Sequence, residues 1–376
     1  MRIWCFVALI SCAVSTSLES QQIAFSDAKW QLNGDSTRIE QFDGRQTLRM
    51  ETGTAVRKDI VFQDGTIDVD LMTSRRRSFV YFSFRIEADG ENEEFYLRPH
   101  KSGLPDAAQY APVYQGQSAW QLYYGPRGTA SPDVVPDIWQ HLRIVVSGRR
   151  AAFFLNDTVR PFMVIPHLAR EPKAGWIELR SLVPQGTPGT GPAVRFANLA
   201  VRPNAIAYGF ANAPQPPAVA PGTIRTWEVS DAFAAPDTAL SAVSPESAKN
   251  FKRVQVEPDG FVELHKYLKM PADVRGYVGT VARIRVHAQQ AGTRRFDIGF
   301  SDRVTVFLNR VPIFHRDDSY DFARRRDGLI SFDQAAVYLP LKAGDNEITL
   351  IVTDRFGGWG VMGRFPDVAG LTVSPE

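Results

Sequence analysis

Cysteine is nearly absent from this chain of 376 residues, and both cysteines, Cys5 and Cys12, lie at the amino terminus. The rest of the chain therefore has no pair of thiols for an internal disulfide. It also has no thiolate ligands for zinc and no cysteine nucleophile. We expect its stability to come from packing alone.

An excess of charge of one sign is also lacking. The chain has 43 lysines and arginines against 41 aspartates and glutamates, a formal net charge of +2. A protein whose main partner is nucleic acid carries a strong basic excess, because phosphate contacts use lysine and arginine. The balance therefore argues against nucleic acid as a partner.

Apolar runs long enough to cross a bilayer are missing, and we expect no transmembrane segment. The run at residues 3–10 is too short for a spanning helix and is typical of an export signal, which we assign to residues 1–20. Two processing routes stay open, because residues 13–15 suit signal peptidase whereas residues 9–12 resemble a lipobox. The protein is therefore expected to be secreted or periplasmic, and lipid-anchored to the envelope if Cys12 is a lipobox cysteine.

Helical periodicity is weak, whereas period-two alternation is strong. Ile67, Val69 and Leu71 alternate with Asp68 and Asp70, which is typical of a strand with one buried face. This pattern predicts an all-β fold. Further strand-like runs lie at residues 79–86, 95–98, 119–124, 139–146, 151–155, 224–229, 260–267, 279–287, 295–300, 303–309, 336–341 and 346–353.

Two domains are expected, because one hydrophobic core rarely serves more than roughly 250 to 300 residues. Prolines are dense between Pro203 and Pro221. Proline donates no ladder hydrogen bond and favours an extended chain, so this stretch is typical of a semi-rigid linker. We predict two β-sandwich (jelly-roll) domains, at residues 21–203 and 223–376, joined by a Pro-rich linker at 204–222.

Motifs in both halves carry a family resemblance. The first half has the alternating run at 65–71, Phe82-Ser83-Phe84-Arg85, and Trp139 to Gly148 leading into Ala152 to Asn156. With these it resembles the concanavalin A-like lectin/glucanase superfamily, in particular the LamG-like domains of exported bacterial proteins. The resemblance implies a sandwich fold, but these sandwiches host lectins, glycosidases, lyases and adhesion modules.

The second half has strand and turn residues at 301–309, 339–348 and 354–360. It resembles the galactose-binding-like jelly rolls attached to many glycosidases. These residues are framework in such domains, so they imply a fold and say little about a ligand.

Catalytic signatures are missing from the sequence. Laminarinase-like members of the superfamily carry Glu-x-Asp-x-x-Glu, whose carboxylates act as acid and nucleophile. Here the strand has Asp68 and Asp70 followed by Met72 and Thr73, and we interpret the aspartates as solvent-facing. The six histidines, at 100, 141, 167, 265, 287 and 315, show no metal-ligand spacing. No cofactor is expected, although calcium, which LamG relatives bind through Asp and backbone oxygens, stays an alternative.

The segment from Phe95 to Trp120 mixes aromatic rings with charged and amide groups. Saccharides need this mix, because their C–H faces stack on rings and their hydroxyls need donors and acceptors. The alternative is that the loop folds over itself, with Arg98 paired to Asp106. We predict ligand binding by Tyr96, Arg98, His100, Lys101, Asp106, Gln109, Tyr110, Tyr114, Trp120 and Tyr123.

Together these patterns predict an exported carbohydrate-interacting (glycan-binding) protein without evident catalytic machinery, whose partner is a poly- or oligosaccharide. Two alternatives stay open. One is a glycoside hydrolase or polysaccharide lyase that uses the 96–124 region, with Arg98, His100 and a tyrosine around one pocket. The other is a structural or adhesive module that presents a protein-binding surface.

Overall fold

The computed structural model describes residues 21–34, 36–216, 218–236, 245, 248–272 and 276–374. The predicted export signal, with Cys5 and Cys12, lies outside the described residues. Within the described ranges no helix is long and apolar enough to cross a membrane.

Sixteen strands precede the proline-rich stretch. They are β1 (Gln21–Gln22), β2 (Gln31–Asn33), β3 (Arg38–Phe42), β4 (Arg45–Met50), β5 (Gly53–Phe62), β6 (Gly65–Thr73), β7 (Phe79–Ile86), β8 (Asn92–Leu97), β9 (Ala108–Tyr114), β10 (Gln117–Ser118), β11 (Thr129–Ala130), β12 (Trp139–Ser147), β13 (Arg150–Leu155), β14 (Met163–Ile165), β15 (Gly175–Leu182) and β16 (Val194–Pro203).

These strands form two antiparallel sheets, which we name the N-terminal sandwich. The first sheet has the order β14-β13-β12-β6-β16-β4-β3, and the second has β10-β9-β8-β7-β15-β5-β2. Their inner faces pack together, with Phe82 of the second sheet against Phe196 of the first and Phe95 stacked on Phe153 at 4.3 Å between ring centroids. Ile67 is 5% exposed on the inner face, so the alternation in β6 correctly predicted its buried side.

Twelve strands follow. They are β17 (Thr226–Val229), β18 (Phe233–Ala235), β19 (Lys252–Gln255), β20 (Phe261–Glu263), β21 (Tyr277–Ala288), β22 (Gly292–Ser301), β23 (Arg303–Leu308), β24 (Val311–Asp317), β25 (Ala335–Leu341), β26 (Gly344–Asp354), β27 (Gly360–Arg364) and β28 (Leu371–Ser374).

This C-terminal sandwich has a third sheet, β19-β17-β21-β26-β23-β24, and a fourth, β20-β27-β22-β25. Trp227 and Trp359 are fully buried between them. The predicted all-β fold of two sandwiches is therefore confirmed. The boundaries of the predicted linker stay a prediction, and the chain there is not free of contacts, because Tyr208 and Phe210 pack on Phe154 of the first sheet.

The two sandwiches meet at the segment that follows β10. Buried Gln121 donates from Nε2 to the Asp327 carbonyl at 2.8 Å and accepts from the Ser301 hydroxyl at 2.9 Å, while its backbone N–H donates to the Gly357 carbonyl at 2.9 Å. A side chain at Gly357, where φ is +101°, would clash with the Gln121 amide. The hydrogen bonds of Gln121 therefore link the C-terminal sandwich to the N-terminal one.

We expect Gln121→Ala to lower the free energy of unfolding by roughly 2 kcal/mol, because the buried Ser301 hydroxyl loses this acceptor and the Asp327 carbonyl loses a donor. Calorimetric unfolding of the full chain measures the effect. The matched control is Gln117→Ala, an exposed glutamine of β10, which we expect to change stability by less than about 0.5 kcal/mol. Equal effects of the two changes would contradict this assignment.

Candidate functional site

The outer face of the second sheet carries an unusual set of polar and aromatic side chains. Phe82, Phe95 and Leu179 face the core. Since successive strand residues point to opposite faces, their neighbours Tyr81, Glu94, Tyr96, Glu178 and Arg180 point outward. A cluster of charged and aromatic groups from β7, β8 and β15 thus lies on one surface.

The strand register arranges these side chains in two rows. Glu178 pairs with Ser83, and Ser83 pairs with Glu94, so a small side chain separates two carboxylates. In the next row Arg180 pairs with Tyr81, and Tyr81 pairs with Tyr96. Paired residues share a face and interact directly.

Arg180 is the centre of this arrangement. Its Nη2 donates to Glu94, its Nε lies 3.7 Å from Glu178, and its guanidinium stacks 3.7 Å above the ring of Tyr81. The buried Nε of Arg180 has no hydrogen-bond partner in the described part of the chain. A buried donor without a partner is costly in water-excluded surroundings, so this Nε is the incompletely bonded atom of the arrangement.

Burial disfavours the charged form of both carboxylates in the row. It raises the pKa of Glu94, with Arg180 and the Ser118 hydroxyl acting against it, and it raises the pKa of Glu178, again opposed by Arg180. Ser118 donates to Glu94 at 3.1 Å. Carboxylates with raised pKa values beside an incompletely bonded arginine are typical of functional surfaces.

One end of this face opens into a groove of about 410 Å³. Trp176, half-buried at the start of β15, lines it together with Glu178, Lys58 and Asn92. The Lys58 ammonium lies 5.2 Å from the Trp176 ring centroid. The groove therefore combines one large aromatic surface with cationic, anionic and amide groups.

The opposite end of the face is aromatic. Phe79 is parallel to Tyr81 at 6.2 Å and meets His100 edge-on at 5.6 Å. Burial, reinforced by Arg77, lowers the pKa of His100 to about 4. His100 is therefore neutral near pH 7 and offers its ring without a charge.

Five of the sequence-predicted ligand residues form a closed network beside this end. Arg98 donates to Asp106 at 2.6 Å and to the Tyr96 hydroxyl at 3.1 Å, and Lys101 donates to the same Asp106 oxygen at 2.5 Å. Gln109 accepts from Tyr96 at 2.7 Å. The sequence offered, as the alternative to ligand binding, a loop that folds over itself with Arg98 paired to Asp106. The structure has this pair, and the five side chains hydrogen-bond to one another.

The other five lie outside this network, and among them the rings of Tyr110 and Tyr123 meet edge-on at 5.6 Å. Tyr110 points into the core, where its hydroxyl donates to Glu93 at 2.7 Å, because β9 alternates like its neighbours. Tyr114 donates to the Ala169 carbonyl at 3.3 Å, and Tyr123 packs edge-on against Phe261 of the C-terminal sandwich. Trp120 lies at the junction, and His100 lies with Phe79. The structure thus does not bring the ten predicted residues into one open cleft, and ligand binding by them stays a prediction.

Sequence reasoning missed the residues of β15. Trp176, Glu178 and Arg180 alternate with Ile177 and Leu179, and this period-two pattern is a strand signal. The stretch by itself does not indicate a site, because its partners Ser83 and Glu94 are far away in the chain. Only the strand order shows that they share a surface.

The outer face of the first sheet is also charged, but its two aspartates are paired with neighbouring basic side chains. Asp68 accepts from Arg202, from Arg143 at 2.7 Å and lies 2.9 Å from His141. Asp70 contacts the other nitrogen of His141 at 2.9 Å and accepts from Arg45 and Asn198. Asp68 is only 4% exposed, because basic side chains cover it. The expectation that Asp68 faces solvent is therefore wrong.

Among the described residues no three His, Cys, Asp or Glu side chains are grouped as a metal site requires.

No family model matches the chain, and no curated protein does. Among solved structures, the carbohydrate-binding module CBM66 from Bacillus subtilis is 13% identical, with a TM-score of 0.34, and the match covers 46% of this chain and 93% of that one. The β-glucanase of Bacillus licheniformis is 9% identical, with a TM-score of 0.35 and coverage of 46% and 92%. A β-1,3-1,4-glucanase from a mouse hindgut metagenome is 11% identical, with a TM-score of 0.37 and coverage of 49% and 98%.

Proposed function

We propose that the N-terminal sandwich binds a saccharide on the outer face of its second sheet. The observation that carries the proposal is the groove in which half-buried Trp176 lies beside Glu178, close to the unpartnered Nε of Arg180. A pyranose presents a C–H face to an aromatic ring and hydroxyls to charged donors and acceptors. Trp176 supplies the first contact, and Glu178, Lys58 and Asn92, which line the same groove, supply the second.

An array of plant, fungal and bacterial polysaccharides, probed with the full chain, tests the proposal. We expect retention of at least one polysaccharide. We expect Trp176→Ala to weaken its binding by roughly tenfold or more, about 1.4 kcal/mol, because the stacking surface is lost. Calorimetric titration gives the affinities.

The matched control is Trp139→Ala. Trp139 is also half-buried, but it lies on the outer face of the first sheet, where its Nε1 donates to Asp43 at 2.8 Å. We expect this variant to bind as the wild type does. Retention of no polysaccharide, or equal losses in the two variants, would refute the proposed site.

A glycoside hydrolase is the second candidate, favoured by the two carboxylates on β8 and β15. The strand β7 lies between them, so their backbones are roughly 10 Å apart, and both have raised pKa values. In such a reaction one carboxyl protonates the leaving oxygen and the other activates water or attacks the sugar. Release of reducing ends by the full chain, abolished in Glu178→Gln although this variant loses only part of its affinity, would favour hydrolysis over simple binding.

We also propose that this binding takes place outside the cytoplasm, because the leader at residues 1–20 is typical of an export signal. Fractionation of the producing cells, followed by detection of the mature chain, tests this. A chain found only in the cytoplasm would contradict it.

A further inference from the structure

Aromatic side chains continue from the outer face of the second sheet onto the C-terminal sandwich. Phe79 and His100 lie at the edge of this face, where β7 begins, and both belong to the N-terminal sandwich. Two residues before Phe79, the guanidinium of Arg77 lies 4.4 Å above the ring of Phe322, which belongs to the connection between β24 and β25. The C-terminal sandwich is thus adjacent to the end of the outer face that carries Phe79 and His100.

A second contact lies beside the first. Trp120 meets Tyr320 edge-on at 5.7 Å and Phe356 at 6.1 Å, and these two rings are 5.6 Å apart. The carbonyl of Trp120 accepts from the Gln109 amide at 2.6 Å. Gln109 lies on the outer face. Trp120, which bonds to Gln109 through its carbonyl and contacts Tyr320 and Phe356 through its ring, therefore connects that face with the C-terminal sandwich.

These rings are more exposed than rings that only hold two domains together. Phe322 is 67% exposed and Phe356 is 53% exposed. Single exposed apolar residues are ordinary, but adjoining ones that extend a polar and aromatic surface mark an interaction site. Arg77 and Asp321 add charged groups at the rim, which suits a polar ligand better than a purely apolar one.

The connection that carries Tyr320 and Phe322 is held in place without a ligand. Asp321 and Arg326 exchange two backbone hydrogen bonds, at 2.9 and 3.0 Å. The hydroxyls of Ser319 and Tyr277 are 3.0 Å apart. Rings positioned in this way lose little freedom on binding, which favours affinity.

We propose that Tyr320, Phe322 and Phe356 extend the groove of the second sheet, so that one oligosaccharide chain contacts both sandwiches. This rests on the proposed function. Trp176 lies at the Ile86 end of β7 and Phe79 at the other end. With 8 residues, β7 spans roughly 25 Å. A disaccharide bound at Trp176 does not reach Phe322, whereas a chain of several sugar units does.

The experiment compares the disaccharide and the hexasaccharide cut from the polysaccharide that the full chain retains. We expect Phe322→Ala to weaken binding of the hexasaccharide by roughly tenfold, through loss of one aromatic contact. Binding of the disaccharide is unchanged, and Phe322→Tyr keeps the wild-type affinity for both. The control is Tyr338→Ala, an aromatic residue of β25 that is 64% exposed, which we expect to change neither affinity.

Wild-type affinity of Phe322→Ala for the hexasaccharide would overturn the extended groove. If Trp176→Ala still lost binding in that case, the proposed function would stand. A failure of the chain to retain any polysaccharide would remove both. Because Phe322 is exposed, its variant keeps the wild-type melting temperature, so a loss of affinity is not a loss of folding.

Discussion

Asp354→Asn is expected to raise the free energy of unfolding of the full chain by roughly 3 kcal/mol at about pH 8, and to change it little at about pH 4. Asp354 is 3% exposed at the end of β26, and its Oδ1 has no hydrogen-bond partner within the described residues. Its Oδ2 lies 3.5 Å from Nε2 of His265, whose Nδ1 lies 3.3 Å from Glu263. Asparagine keeps the shape and removes the charge.

The physical cause is burial, which raises the pKa of Asp354 to about 7 and that of Asp302 to about 6. Burial also raises the pKa of Glu263, while the carboxylate of Glu263 raises the pKa of His265 against the effect of burial. Each folded-state pKa lies above its unfolded value, so the folded chain binds protons more tightly. The resulting stability is complete below about pH 4 and is lost as the pH rises to about 7.

Calorimetric unfolding across this pH range measures the effect, with a smaller pH dependence expected for the variant. The control is Asp345→Asn, an exposed aspartate that pairs with His287 in the same sandwich, for which we expect no change. Equal destabilisation of Asp354→Asn at both ends of the range would show instead that an ionised Asp354 supports His265.

Arg98→Ala is expected to lower the free energy of unfolding by roughly 3 kcal/mol, because Tyr96 and Gln109 lose a buried charged donor and Asp106 keeps only Lys101 as a partner. Arg98 is 7% exposed and donates to Asp106, Tyr96 and Gln109. Denaturation of the full chain measures the loss.

Lys101→Ala is the matched control, since Lys101 donates to the same oxygen of Asp106 but its side chain is 36% exposed. For this variant we expect a loss of less than about 1 kcal/mol. If Arg98→Ala kept wild-type stability and lost saccharide binding, Arg98 would be a ligand residue, as the sequence predicted.

Local patterns predicted the sandwich elements well. The alternation at residues 65–71 gave the correct inward face of β6, and Ser147 pairs with Arg150 across the tight hairpin between β12 and β13. Both depend on neighbours in the chain, because strand alternation and turn chemistry are local properties.

The predicted site depended on contacts that are not local. The segment from Phe95 to Trp120 has the composition of a binding loop, but composition does not show which polar groups already have partners. Its groups bond to one another, and Trp120 packs against the C-terminal sandwich. The partners of Trp120 follow from the docking of two domains.

The sequence by itself determined the all-β class, the period-two burial of the strands and the absence of cysteine after Cys12, since these follow from residue types and their spacing. Only the tertiary structure decided which outward side chains meet. Ser83, Glu94 and Glu178 share a surface because β7 pairs with both β8 and β15. Strand order is set by the packing of whole sheets, and no local pattern encodes it.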